Sequence, residues 1–192
     1  PTAYFDSITI LVASIVALSK DNLKARLAYS TVSQLSYIIL GVALLTRAGI
    51  EGGLVHIANH AFSKITLFFC AGAIYVATHK KNISELSGLG RAMPITFGAF
   101  ALASLSMIGV PLAAGFISKW YLLLGALDAS ALGIVVVLLA STILNAAYFA
   151  PVVYHAFFGE PSAADANHHY QEAPAAMLIP LSITAVVSIV IG

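Results

Sequence analysis

Six times between residue 4 and the end of the chain, the sequence settles into an apolar run of roughly membrane-crossing length, with no polar–apolar alternation. In hydrocarbon every backbone N–H and C=O must find its partner within the protein, so only helices and closed barrels span a bilayer. A spanning helix needs about 20 predominantly apolar residues, whereas barrel strands need a two-residue alternation. The runs therefore predict helices at about 4–19, 28–46, 54–78, 95–127, 131–158 and 174–192. The connections are short and polar: KDNLKAR, TRAGIEGG, HKKNISELSGLGRAMP, LDAS and GEPSAADANHHYQEAP. The expected fold class is all-α, a polytopic transmembrane bundle in contact with lipid.

Composition closes off the alternatives. Charged residues make up 9% of the chain and hydrophobic ones 60%, against about 25% charged residues in an ordinary soluble domain. A soluble globule of 192 residues has too little interior for that load, which excludes a soluble enzyme or a disordered chain. With 9 Lys+Arg against 8 Asp+Glu there is no basic footprint for nucleic acid. Cys70 is the single cysteine and forms no internal disulfide. A piece of a longer polytopic chain is expected, since Pro1 stands where an initiator Met would and an apolar run continues to Gly192. Asp6 breaks any signal-peptide pattern. Lys20, Lys24 and Arg26 fall on the same side as Lys80, Lys81 and Arg91, and only Arg47 lies opposite, so the positive-inside rule puts the first group in the cytoplasm.

The run from Ile95 to Leu127 would make a helix of roughly 50 Å, against a hydrocarbon core of about 30 Å. In its middle sits IGVPLAAGF, where Pro111 removes an N–H and Gly109 and Gly115 ease departure from helical angles. A helix broken near 109–115 is expected, of the kind that forms ion sites in transporters. A plain proline kink, or two helices joined by a tight turn, would fit the same residues.

Lys64 and Lys119 both lie well inside such runs, at a cost of about 2.5–3.5 kcal/mol each on insertion scales. Each must face the bundle interior, a water chain or a counter-charge. The charge state of such a lysine depends on hydration and neighbours, as a proton relay requires. The rival account is a structural hydrogen bond or ion pair. His56, His60 and Lys64 follow at four-residue steps, so they lie within about 80° on one helix face and span roughly 12 Å of its axis. Two imidazoles leading to a lysine make a ladder of proton acceptors, with Asn59 and Ser63 flanking it to orient water. A pair of packing histidines is the alternative. HIANH lacks the Glu that a zinc-protease helix carries after its first His, and no third ligand follows, so no metal is expected.

Ser30, Ser33, Gln34 and Tyr37 form a polar stripe in the preceding run, suited to interhelical hydrogen bonds or to lining a hydrated path beside Lys64. Lys24, just before the stripe, is interfacial on physical grounds alone. Tyr148, Tyr154 and His155 fit a membrane-interface belt, and His168 and His169 with Asp165 and Glu172 a solvated loop cluster.

Three segments resemble a known family in its own order: DNLKARLAYSTVSQLSYIILG, HIANHAFSKITLFFCAG and MPITFGAFALASLSMIGVPLAAGFISKWYLLLGA. The family is that of antiporter-like, proton-conducting membrane subunits. It includes the large pumping subunits of respiratory complex I, Mrp-type Na+/H+ antiporter subunits and membrane-bound hydrogenase subunits. The resemblance covers roughly residues 10–125 and continues more loosely to about 160. It implies two inverted repeats of five helices, each with a broken helix, of which this chain holds most of the second. It further implies that Lys64 is the central relay lysine, that His56 and His60 are its histidines, and that Lys119 is the charged residue of the broken helix. Lys24 matches a family lysine beside the AYS segment. Some complex I members carry an acidic residue after the broken-helix lysine. Trp120 stands there in this chain, and GFISKWYLLLGAL looks closer to the D-type chains of Mrp antiporters.

A proton-translocating subunit of a multisubunit cation/H+ antiporter in a bacterial inner membrane is the leading expectation. Its partners would be other membrane subunits, H+ and, as an open question, Na+. The pumping arm of a redox complex is the second reading; without a cysteine set or a Gly-rich phosphate loop, no cofactor is expected in this chain. A structural membrane scaffold is the third.

Overall fold

Polar caps decide where two of the long helices begin. The computed structural model describes residues 2–160 and 170–191. Its helices are α1 (Thr2–Ser19), α2 (Leu23–Ala43), α3 (Arg47–Thr78), α4 (Leu89–Ala92), α5 (Pro94–Ile108), α6 (Ala114–Asp128), α7 (Leu132–Phe158) and α8 (Ala175–Val190). Among the described residues the only β pairing is an isolated antiparallel bridge between Asn22 and Asn82. The Asn22 side chain accepts the Ala25 N–H at 3.0 Å, so α2 opens at Leu23 rather than at 28. Thr46 accepts the Gly49 N–H at 3.2 Å, and α3 opens at Arg47 rather than at 54. Hydropathy marks the apolar stretch of a helix, whereas its cap marks the end.

The early start of α2 carries Arg26 into the bundle. Its guanidinium donates to the carbonyls of Leu18, Lys20 and Tyr148 at 3.3, 2.9 and 3.1 Å. Leu18 and Lys20 lie at the end of α1, where helical carbonyls have no donors of their own. Nearby, the Asp21 carboxylate accepts the backbone and hydroxyl protons of Ser84 at 3.0 and 2.7 Å. Glu172 is no part of a solvated cluster: its carboxylate accepts the N–H groups of Ile95 and Thr96 and the Thr96 hydroxyl, capping α5. His168, His169 and Asp165 lie outside the described residues.

Successive long helices run antiparallel, and α3 is the axis of the bundle, packed against α2, α5, α6 and α8. The interior is a largely apolar core in which the buried polar side chains are gathered, while Val136, Ile143 and Ile183 face outward, as in a bundle surrounded by lipid. α1, α3 and α7 are each long and apolar enough to cross a bilayer. α2 has 21 residues with a polar stripe on one side, and α5 with α6 completes one further crossing. The chain is an integral membrane protein.

The crossing formed by α5 and α6 is broken. α5 ends at Ile108, and Gly109 takes a left-handed φ of 86°, donating to the Leu105 and Ser106 carbonyls at 3.0 and 3.1 Å. Pro111 brings no N–H, so no hydrogen bond carries the helix through it. α6 begins at Ala114, displaced so closely against α5 that a Cβ on Gly115 would collide with the Ser106 carbonyl oxygen. This is a break with two helix ends rather than a kink.

Glycines also let α3 meet α6, since a Cβ on Gly125 would lie 2.5 Å from the Gly49 nitrogen. Gly125→Ala should therefore cost about 1–3 kcal/mol through overpacking. Gly98 and Gly133, where an added Cβ meets nothing within 4 Å, should accept Ala without loss. Thermal unfolding of the detergent-solubilised protein checks both.

Candidate functional site

Two ammonium groups anchor the interior, and each is solvated by backbone oxygen. Lys64, 6% exposed, donates to the Leu27 carbonyl at 3.0 Å and to the Ser30 hydroxyl. Leu27 and Ser30 lie on α2, and the Phe149 ring of α7 sits 5.7 Å from the ammonium. Lys119, partly buried on α6, reaches back to the end of α5. There it donates to the carbonyls of Met107 at 2.9 Å and Ile108 at 2.8 Å. Those are carbonyls that an unbroken helix would have consumed, at the negative end of the α5 dipole. Hydrogen bonds to charged groups contribute about 1.5–3 kcal/mol each. Two of them match the roughly 2.5–3.5 kcal/mol cost of a central lysine. Among the described residues no carboxylate lies within ion-pair distance of either lysine.

Between the lysines runs a line of polar side chains. The His60 ring stacks on His56 with centroids 6.0 Å apart, and His56 lies 5.5 Å from the Tyr37 ring. His56 engages both neighbouring helices: its Nε2–H donates to Gln34 Oε1 at 3.0 Å, and its Nδ1 lies 2.9 Å from the Ser118 hydroxyl. Lys119 Nζ sits 5.6 Å from the Tyr37 ring centroid. A cavity of about 190 Å³ borders Tyr37, Gly109, Lys119 and Thr142. His60 Nε2 is buried without a hydrogen-bond partner.

The residues flanking the ladder divide by role. Asn59 donates to the Ala114 carbonyl at 2.6 Å, and Ser63 donates to Ser106 Oγ at 3.1 Å, so both tie α3 to the break. Ser106 in turn accepts the Gly115 N–H at 3.3 Å. Ser30, Gln34 and Tyr37 lie among the lysines and histidines. Ser33 does not: it pairs with Ser14 at 2.8 Å and donates to the Ile10 carbonyl at 3.1 Å, joining α2 to α1. Lys24 is exposed at the end of the bundle, 5.3 Å from the Tyr75 ring, beside Lys81. It stands one helical turn from Leu27, whose carbonyl Lys64 holds.

Tyr154 and His155 are exposed, but Tyr148 is fully buried and does not belong to an interface belt. Its hydroxyl donates to Asn145 Oδ1. Sequence reasoning missed Ser106, Ser118 and Asn145. The two serines flank the break symmetrically enough to be found, and Asn145 is the lone amide in an otherwise apolar run.

Residues 2–158 match the model of the family described as NADH:quinone oxidoreductase/Mrp antiporter, TM. The chain belongs to that family. A relative within it is the NADH-quinone oxidoreductase subunit N of Desulforudis audaxviator, 39% identical over 95% of this chain and 38% of the relative. Respiratory complex I from Thermus thermophilus contains a chain that superposes with a TM-score of 0.84 at 26% identity, over 98% of this chain and 39% of the other. The Mrp complex from Dietzia sp. DQ12-45-1b shares the fold, with a TM-score of 0.90 at 24% identity over 98% of this chain and 43% of its counterpart. The chain thus spans roughly two-fifths of the length of the proteins it matches here.

Asn59→Leu should remove the side-chain donor to the Ala114 carbonyl, and with it the tie between α3 and the break, at a cost of about 1–3 kcal/mol. Hydrogen–deuterium exchange across residues 109–118 should accelerate, while exchange in α7 stays unchanged.

Proposed function

We propose that this chain is the proton-translocating part of a membrane subunit of a multisubunit cation/H+ antiporter. In it, Lys64 and Lys119 exchange a proton through ordered water and the histidine ladder. The observation that carries this reading is the row of neighbouring groups His60, His56, Tyr37 and Lys119, with Lys64 one helical turn from His60, inside a bundle whose outer face is apolar. Both lysines rest on neutral oxygens, which solvate an ammonium and also tolerate the free amine. A charge leaving one lysine is felt at the other, because salt screens buried charges little.

In this proposal Gln34 and Ser118 hold the His56 ring, Ser30 passes protons to and from Lys64, and the break supplies the carbonyls that receive Lys119. Lys24, at the end of α2, gathers protons at the membrane surface. Lipid, further membrane subunits of the same complex, H+ and, in an antiporter, Na+ are the partners proposed, in a bacterial inner membrane. The pumping arm of a redox complex uses the same relay. That second reading is favoured by the relationship to the NADH-quinone oxidoreductase chain of Desulforudis audaxviator.

Lys64→Ala and Lys119→Ala in the intact complex, reconstituted in vesicles, should each abolish proton flux while subunit assembly is retained. Flux at the wild-type rate in either variant would refute the relay.

A further inference from the structure

The relay just described uses α2, α3 and α6, yet the most polar unexplained surface in the interior belongs to α7. Ser141, Asn145 and Tyr148 follow at steps of four and three residues, which places them on one face of that helix, and all three are fully buried. Asn145 Nδ2 and Ser141 Oγ have no hydrogen-bond partner. Two atoms of α2, the Tyr37 hydroxyl and Gln34 Nε2, are likewise buried and unpartnered. The Tyr37 hydroxyl faces Ser141, Thr142 and Asn145 without closing a bond to any of them. The Tyr148 hydroxyl, bonded to Asn145, faces Ser30 and Gln34 on its other side.

These positions form a succession with the known ends. Lys64 holds Ser30, which faces Tyr148; Tyr148 holds Asn145, which faces Tyr37; and Tyr37 lies under Lys119. No imidazole takes part. Four orphaned polar atoms at one locus in an apolar bundle would cost about 1–3 kcal/mol each if left dry. Buried water with two to four polar partners removes that cost.

Resting on the relay reading, we propose that α7 supplies a second polar bridge between Lys64 and Lys119. Ser141, Asn145 and Tyr148, with Tyr37 of α2, hold a row of buried waters that carries protons past the histidines. Each hydroxyl or water releases one O–H proton as it receives another, so the row ends each transfer uncharged. Tyr148 passes protons through its hydroxyl; Asn145 exchanges none and is a positioning residue that orients the water.

The test uses the full complex in proteoliposomes, with proton flux, assembly and thermal stability measured together. Tyr148→Phe, which removes a single oxygen, should slow flux about twofold, since the histidine ladder still joins the lysines, as should Asn145→Leu. Asn145→Ser, which keeps a polar group on the same face, should restore most of it. Cryo-electron microscopy of the intact complex should show ordered water within hydrogen-bond distance of Asn145 Nδ2. Wild-type flux in both Tyr148→Phe and Asn145→Leu, with Lys64→Ala inactive, overturns the second bridge and leaves the lysine relay standing. Equal loss in Asn145→Ser and Asn145→Leu assigns the site to packing and also overturns it. A map that resolves water elsewhere in the bundle but none here does the same. Flux that survives Lys64→Ala removes the relay and this bridge together.

Discussion

An ammonium group inside hydrocarbon must bring its solvent with it, and the interior of this bundle is organised around that need. Lys64 takes its oxygens from one turn of α2, and Lys119 takes them from the severed end of α5. Neither lysine finds a carboxylate among the described residues. Solvation by neutral oxygen holds a charge without fixing it, because losing the proton leaves no buried counter-ion behind. A tight ion pair would bind the proton too firmly, since an isolated partner in a low-dielectric interior is very costly.

The break follows from the same need. The carbonyls of an intact helix are already engaged by its own N–H groups, whereas those at a helix end have no partner of their own. Ending α5 at Ile108 frees the carbonyls of Met107 and Ile108, and Lys119 occupies them from the next helix. The break then needs support from α3. Asn59 bonds the first residue of α6, and Ser63 bonds Ser106 at the overlap of the two halves. Of the polar groups around the histidine ladder, some thus surround the lysines and histidines and others hold the broken helix in register. Asn59 and Ser63 project from α3 together with His56 and Lys64, which couples the shape of the break to the placement of those two side chains.

The proposed relay would serve an antiporter and a redox-driven complex alike. Moving one charge against 100 mV requires about 2.3 kcal/mol, an amount comparable to one or two of the charge-assisted bonds seen here. In the proposed relay, a shift of solvation at one lysine by that much would suffice.

Much of this was legible in the residues. Run length and missing alternation specified a helical membrane bundle, because lipid offers backbone groups no other partner. Pro111 with Gly109 and Gly115 marked the break, and isolated lysines in apolar runs marked the interior site, because each carries an energetic penalty visible in one dimension. Helix ends were less legible: Asn22 and Thr46 cap turns that hydropathy counts as connection. Which polar residue serves which purpose was decided only by the tertiary structure. Ser30 and Ser33 stand three residues apart on one stripe, yet one meets Lys64 and the other meets Ser14. Tyr148 has the composition of an interface residue and the position of a core one. Sequence records what a side chain costs to bury; the packing of neighbouring helices alone sets which partner offsets it.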